Sequence, residues 1–411
     1  MPMARPDPLA PTPEFQARVL EARALAERGD FQAAEALFLS LLSEARGGHV
    51  GDHARALASL ATLYGRGGRY VQAHALASRL AAVARAAGPD ADATLAFALA
   101  KACGALSQLR VVVPLDVALD ELRRVLDRHP TPLPNLELEY HVAAATRAFL
   151  TDQVGLARAH VEAYRRTLDA HRVPDGVYRW ALTMVDARVL LLEGRAEEAR
   201  ALLAPSAGEA STPAFAPLHK LVLAVEVHAR LSEREAAVEQ ARRALDVLAT
   251  VERDPFLAAD YVHQGDLLAR ALERMGEGAL ARRAYDRMAV AVLLNLRQVD
   301  DCVRALPELG MADAESHAAL ACFRKQFLQE QHQLLGRVAA LLAQRPDYPV
   351  HEVLSMPSRA GLLPVCAWCE SVRTSAGVWL PIGHYVPREG SFTLTHGICP
   401  PCVTQLHAGV R

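Results

Sequence analysis

Apolar positions recur at helical period along most of the chain, and the polar, glycine- and proline-bearing positions between them fall at fairly regular intervals. Residues 14–88 and 256–306 contain no proline, whereas five prolines crowd the first 13 residues. This pattern predicts a disordered leader over 1–13 and helix–turn–helix structure over 14–300. After Leu306-Pro307 a second proline-free stretch places Leu320, Phe323, Phe327, Leu334 and Leu341 near seven-residue spacing, but Glu330 and Arg337 occupy the other seam. A connecting or capping helix over 301–345 is expected there rather than a parallel coiled coil. Residues 346–361 read as a linker. Beyond it the period changes: Val378-Trp379-Leu380, His384-Tyr385-Val386 and Phe392-Thr393-Leu394 are short β-type runs separated by glycines. They predict a small antiparallel hairpin or ribbon within 362–411.

The helical part repeats itself. Gly29-Asp30-Phe31-Gln32-Ala33-Ala34 matches Gly68-Arg69-Tyr70-Val71-Gln72-Ala73, and the frame returns at Gly194–Ala199 and Gly276–Ala281. Weaker copies centre on Ala118, Ala157 and Ala237, and the spacing between alanines runs from 38 to 45 residues. A glycine lets the chain reverse between antiparallel helices, an aromatic two positions on plugs the hairpin end, and a small alanine lets the helices approach. Helical hairpins of this kind stack because none buries its apolar face alone.

The Gly-x-[Phe/Tyr]-x-x-Ala core resembles the tetratricopeptide repeat (TPR), in a variant longer than the standard repeat of about 34 residues. The resemblance implies an α-solenoid whose concave surface holds a protein or peptide partner. In that register the inner-surface candidates are Glu139, Arg188, Glu226, His263, Asp266 and Arg270. Their mixed charge shows no basic clamp for acidic peptide tails.

The tail carries the most specific chemistry. Cys366-Ala367-Trp368-Cys369 and Cys399-Pro400-Pro401-Cys402 are two C-x-x-C pairs, the donor set of a closed tetrahedral zinc site. A module this small has little core, so one structural zinc ion held by Cys366, Cys369, Cys399 and Cys402 is expected to stabilise it. His396, three residues before Cys399, is expected to support a thiolate from outside the ligand set rather than bind the metal. A redox dithiol is the competing reading of the pairs. The runs Cys366–Arg373, Gly377-Val378-Trp379 and His396-Gly397-Ile398-Cys399-Pro400-Pro401-Cys402 resemble a module at the C-terminus of many bacterial signalling proteins, often following PAS, GAF or receiver domains. Glu370, Gly383 and Leu394 depart from its usual Lys, Glu and Phe. The resemblance implies zinc and a signalling context, and no defined activity.

Composition adds exclusions. Half of the 411 residues are apolar, net charge is −2, and only three lysines accompany a large arginine complement. That bias reads as a coding preference. No clustered basic face marks a nucleic-acid binder, and no apolar run has the length of a membrane span or signal peptide. Seven cysteines, four of them in C-x-x-C pairs, suit a reducing cytoplasm. Cys103, Cys302 and Cys322 sit singly in helical pattern and are expected as small core residues. With no nucleotide loop, catalytic triad or G-G-D-E-F motif, no enzyme is expected. The expected fold is mainly α, a TPR-like solenoid plus a small β-rich metal module. The expected function is protein interaction in bacterial signalling. The alternatives are a redox or metal sensor acting through the four cysteines, and a nucleic-acid regulator acting through the ribbon.

Overall fold

The computed structural model describes residues 8–171, 173, 176–204, 216–250, 258–305, 362–366, 371–373, 379–381 and 393–397. It is mainly helical. The helices pair into antiparallel hairpins: α1 (Pro13–Glu27) with α2 (Phe31–Glu44), α3 (Val50–Arg66) with α4 (Tyr70–Ala87), and α5 (Asp92–Leu109) with α6 (Val112–Arg128). The series continues with α7 (Pro134–Leu150) and α8 (Val154–His171), then α9 (Gly176–Leu192) and α10 (Ala196–Leu203). It ends with α11 (Ala216–Arg230) and α12 (Arg234–Leu248), then α13 (Ala258–Arg274) and the long α14 (Gly278–Ala305).

One backbone junction builds every hairpin. Gly29, Gly68, Arg110, Asp152, Gly194, Ser232 and Gly276 all have φ between 56° and 85°. Each stands two residues ahead of the second helix of its hairpin. The amide of the next residue bonds back to the first helix: Asp30 to Leu25, Arg69 to Tyr64, Val111 to Leu106, Gln153 to Ala148, Arg195 to Leu190, Glu233 to His228 and Glu277 to Leu272, at 2.8–3.1 Å. This is the 6→1 bond of a Schellman C-cap, which satisfies a carbonyl the helix end would otherwise orphan. The carbonyl of that same residue then accepts the first bond of the second helix, from Ala34, Ala73, Leu115, Ala157, Ala199, Ala237 and Ala281. All seven of these donors are buried.

Two details of the repeat are corrected by this geometry. In the third hairpin the turn residue is Arg110, so the equivalent of the repeat alanine is Leu115 and not Ala118. The chain accepts a non-glycine in the left-handed region at Arg110, Asp152 and Ser232, which is why those copies look weak as sequence. The hairpin plug also differs between copies: Tyr70 is buried, but Phe31 is half exposed because no further element lies over it among the described residues.

Residues 9–12 depart from the disordered leader expected over 1–13, and residues 1–7 lie outside the described residues. Leu9 is buried in the core, and the Thr12 amide and hydroxyl both donate to Asp52 on α3. The Ala10 carbonyl lies so close to Gly51 that a Cβ there would come within 2.1 Å of it. Order therefore begins before residue 13 because α3 offers a side chain-free slot and a carboxylate to the incoming chain.

Arginine links the hairpins. Arg85 grips Glu121 through two nitrogens, Arg147 grips Asp116 and Arg158 grips Glu193, while Arg128 grips Asp92 within the third hairpin. A lysine cannot make such forked contacts, so the compositional bias has a structural use. Cys103 and Cys302 are buried, and burial raises the Cys103 thiol well above its ordinary range. Cys322 and the expected helix over 306–345 lie outside the described residues, as does the 346–361 linker.

In the tail, β1 (Leu362–Cys366), β2 (Ser371–Arg373), β3 (Trp379–Pro381) and β4 (Thr393–Gly397) form a sheet ordered β3-β2-β1-β4. β1 is antiparallel to β2 but parallel to β4. This mixed sheet replaces the antiparallel ribbon read from the glycines. The β-run expected at His384–Val386 lies outside the described residues.

The turn geometry has a direct test. Gly194→Ala meets no atom, so its cost comes from φ alone, about 1 kcal/mol. Ser232→Gly should stabilise by a similar fraction of about 1 kcal/mol. Urea denaturation of the two variants should move the midpoint in opposite directions; shifts of the same sign would refute the shared junction.

Candidate functional site

The first helices of successive hairpins form the inner layer. α5 packs on α7, α7 on α9, α9 on α11 and α11 on α13. α13 then returns to α5, and α14 reaches α4. One hydrophobic cluster accordingly joins residues of α1–α6 to Val262, Leu268, Leu272 and Met288 of the last hairpin. The array thus closes a ring of five inner helices.

Closure is polar as well as apolar. Tyr70 Oη donates to Asp260 Oδ2 at 2.8 Å, across 190 residues of chain. Both groups are buried, and burial beside the carboxylate holds the Tyr70 hydroxyl well above its usual range. His219 Nε2 lies 3.6 Å from the other oxygen of Asp260. Arg110, at the left-handed turn after α5, lies 3.9 Å from Asp266 on α13.

All six residues singled out from the repeat register lie on inner helices. Arg188 on α9 bonds Glu226 on α11 at 2.6 Å, and Arg270 bonds Asp266 at 3.1 Å on the same helix. His263 feels the charges of Arg110, Arg188 and Arg270, which brings five of the six into one neighbourhood. Glu139 on α7 stands apart from them and pairs with Lys101 of α5 at 2.7 Å. Lys101–Glu139 and Arg188–Glu226 are each 38 residues apart, so the same rung recurs between neighbouring ring helices. Glu139, Arg188 and Glu226 are therefore ion-paired between neighbouring helices, and Asp266 and Arg270 within α13, rather than separately solvated.

Sequence reasoning missed Arg110, His219 and Asp260. Arg110 was hidden because the third copy was aligned on Ala118. Asp260 and His219 were hidden because only closure brings them to Tyr70 and to one another. A buried carboxylate on the same helix face as His263 and close to Asp266 was the available signal.

A second cluster lies between α7 and α8. His141 Nδ1 and His160 Nδ1 are 3.2 Å apart beside a small cavity lined by Val142, Ala145, Val161, Tyr164, Leu182 and Val185. At that separation one Nδ1–H donates to the other Nδ1, so the two Nδ1 atoms are not both protonated. Burial first, then His160, Arg123 and Arg166, depress His141 to about 4.

For the tail, the parallel pairing of β1 and β4 sets Cys366 beside Gly397 and Val365 beside His396. β1 thus ends on Cys366, the first cysteine of its pair, beside Gly397, the last residue of β4. His396 and Cys366 sit one register position apart. Cys369, Cys399 and Cys402 lie outside the described residues, and no metal-binding group of three or more residues occurs among those described. No helix among the described residues is long and apolar enough to cross a membrane.

Compared with known proteins, the chain matches no family model, and neither a curated protein nor a solved structure matches it.

Two consequences are measurable. Tyr70→Phe leaves the buried Asp260 carboxylate without its donor and should cost about 1–3 kcal/mol in urea denaturation; an unchanged midpoint would deny the latch its role. Burial also holds His74 at about 4 and His263 well below the ordinary value, as it does His141. An unfolded histidine titrates near 6.5, so the unfolded chain binds more protons than the fold as pH drops below about 6.5. Stability should be full above that point and fall toward pH 4, by up to about 1.4 kcal/mol per pH unit for each fully buried ring. A flat profile over this window would mean that the rings are not held neutral.

Proposed function

We propose that the chain is an interaction protein of bacterial signalling, a cytoplasmic TPR-like array that binds a protein or peptide on its inner helices. The observation that carries this reading is the burial of charged groups on the inner layer. Glu226, Asp260 and Asp266 are each less than 5% exposed, on helices whose neighbours supply arginines across the ring. Buried, ordered charge costs folding free energy, and stability alone favours an apolar replacement. Its presence on the layer that a solenoid presents to ligands supports a recognition role.

The tail fits a single structural zinc. Four thiols suit zinc by donor chemistry, and the pairing of Cys366 with Gly397, two residues before Cys399 in the sequence, supports this reading. Cys366, Cys369, Cys399 and Cys402 would hold the ion, which would supply cohesion and no reaction. His396, three residues before Cys399, would support a thiolate from outside the ligand set. In this reading the tail gives the partner a second contact.

Two measurements test the reading with full-length protein. Glu139→Ala with Arg270→Ala should reduce retention of cytoplasmic partners at least tenfold at unchanged helical content; equal retention would defeat the inner-layer assignment. Elemental analysis of Cys366→Ser should show zinc lost, and unchanged metal content would defeat the four-thiolate site.

A further inference from the structure

The ring interior has an ordered distribution of charge. The carboxylates lie deep: the Glu226 and Asp266 side chains are 5% and 3% exposed. The arginines lie over them and reach solvent, at 19% for Arg188, 29% for Arg110 and 45% for Arg270. They come from three different places in the fold: α9, the turn after α5, and α13. Arg188 commits only one terminal nitrogen to Glu226. Arg270 uses Nε and one terminal nitrogen on Asp266. A guanidinium has five N–H donors in a planar fork, so donors of Arg188 and Arg270 remain after the deep carboxylates are served.

His263 lies among these arginines, with its Nδ1 buried and without a hydrogen-bond partner. A buried polar atom left unsatisfied in a native fold calls for a ligand or water. The carboxylates lie deep and the guanidinium groups reach solvent, so the accessible charge is positive. Arg110, Arg188 and Arg270 all act against a positive charge on His263, and they would act equally against a metal cation.

We infer that Arg110, Arg188 and Arg270, together with His263, form a receptor for an oxyanion, a carboxylate or phosphate group, that exists only while the ring is closed. Forked guanidinium donors match both groups in geometry. Arg110 joins the other two only because α13 packs on α5, so oxyanion binding and closure are linked. The inference deepens the proposed inner-layer function by naming the chemistry it recognises. Two sources supply that chemistry: a free small anion, or an acidic side chain of a bound peptide.

The test uses the full-length chain, with inorganic phosphate titrated against chloride at constant ionic strength, and separately a glutamate-rich peptide against its glutamine counterpart. Thermal midpoint and Trp180 fluorescence are the readouts, since that ring lies 6.1 Å from His219 beside the site. Saturable stabilisation by phosphate is expected for a free anion, and selective stabilisation by the glutamate peptide for a partner's carboxylate. Arg270→Gln should weaken the effective ligand at least tenfold, Arg270→Lys should recover part of it, and Arg85→Gln on the outer layer should leave it unchanged. Arg188→Lys supplies an independent variant if Arg270→Gln loses helicity. Absence of stabilisation by both probes, or wild-type affinity in Arg270→Gln, overturns the inference. Partner retention that survives without any anion response removes this inference alone; an anion response without partner retention removes the proposed function instead.

Discussion

The left-handed residue two positions ahead of each second helix carries the rest of the architecture. It ends one helix, turns the chain back, and hands its successor's carbonyl to the next helix as first acceptor. Because the same hydrogen bonds are made at each junction, the two helices of every hairpin meet in the same register. Small buried residues then allow close approach at the fourth residue of the second helix, with Leu115 filling that place in the third hairpin. A uniform hairpin stacks with a uniform rotation, and uniform rotation is what returns α13 to α5.

Closure changes the character of the inner layer. In an open array, charged residues on a concave face stay hydrated and contribute little. Here α13 packs on α5, and Asp260, Glu226 and Asp266 become interior groups that meet Tyr70, Arg188 and Arg110 from elsewhere in the ring. The arginine fork suits that demand, since one side chain can serve a deep carboxylate and still present donors toward the ring interior. The outer layer uses the same residue for a smaller return, joining neighbouring hairpins at half-exposed positions such as Arg85–Glu121.

Much of the helical fold was legible because it is local. Helix period, glycine turns and the repeat alanine are all set within a few residues, so the hairpins around Ala34, Ala73, Ala199 and Ala281 could be read directly. Where Asp152 and Ser232 stand in for glycine the signal faded although the backbone did not change, and at Arg110 it led the alignment three residues astray. The inner residues were placed on the correct layer by register, yet their partners were not legible, because Tyr70–Asp260 and Arg110–Asp266 depend on accumulated rotation over many hairpins. The tail shows the same limit: short β-runs could be seen, but the parallel pairing of β1 with β4 is a long-range choice that no local pattern encodes.

The bond between Tyr70 and Asp260 also bears on how such a chain can evolve. Open solenoids grow and shrink by gaining or losing units, since each unit touches only its neighbours. A chain whose fourth helix must meet its thirteenth does not have that freedom. One unit more or fewer between them would rotate the acceptor away from its donor and leave the carboxylate with no hydroxyl to receive. The ring is therefore a counting device: it fixes the copy number of the repeat, and evolutionary change is confined to substitution within units or to additions beyond the closed turn.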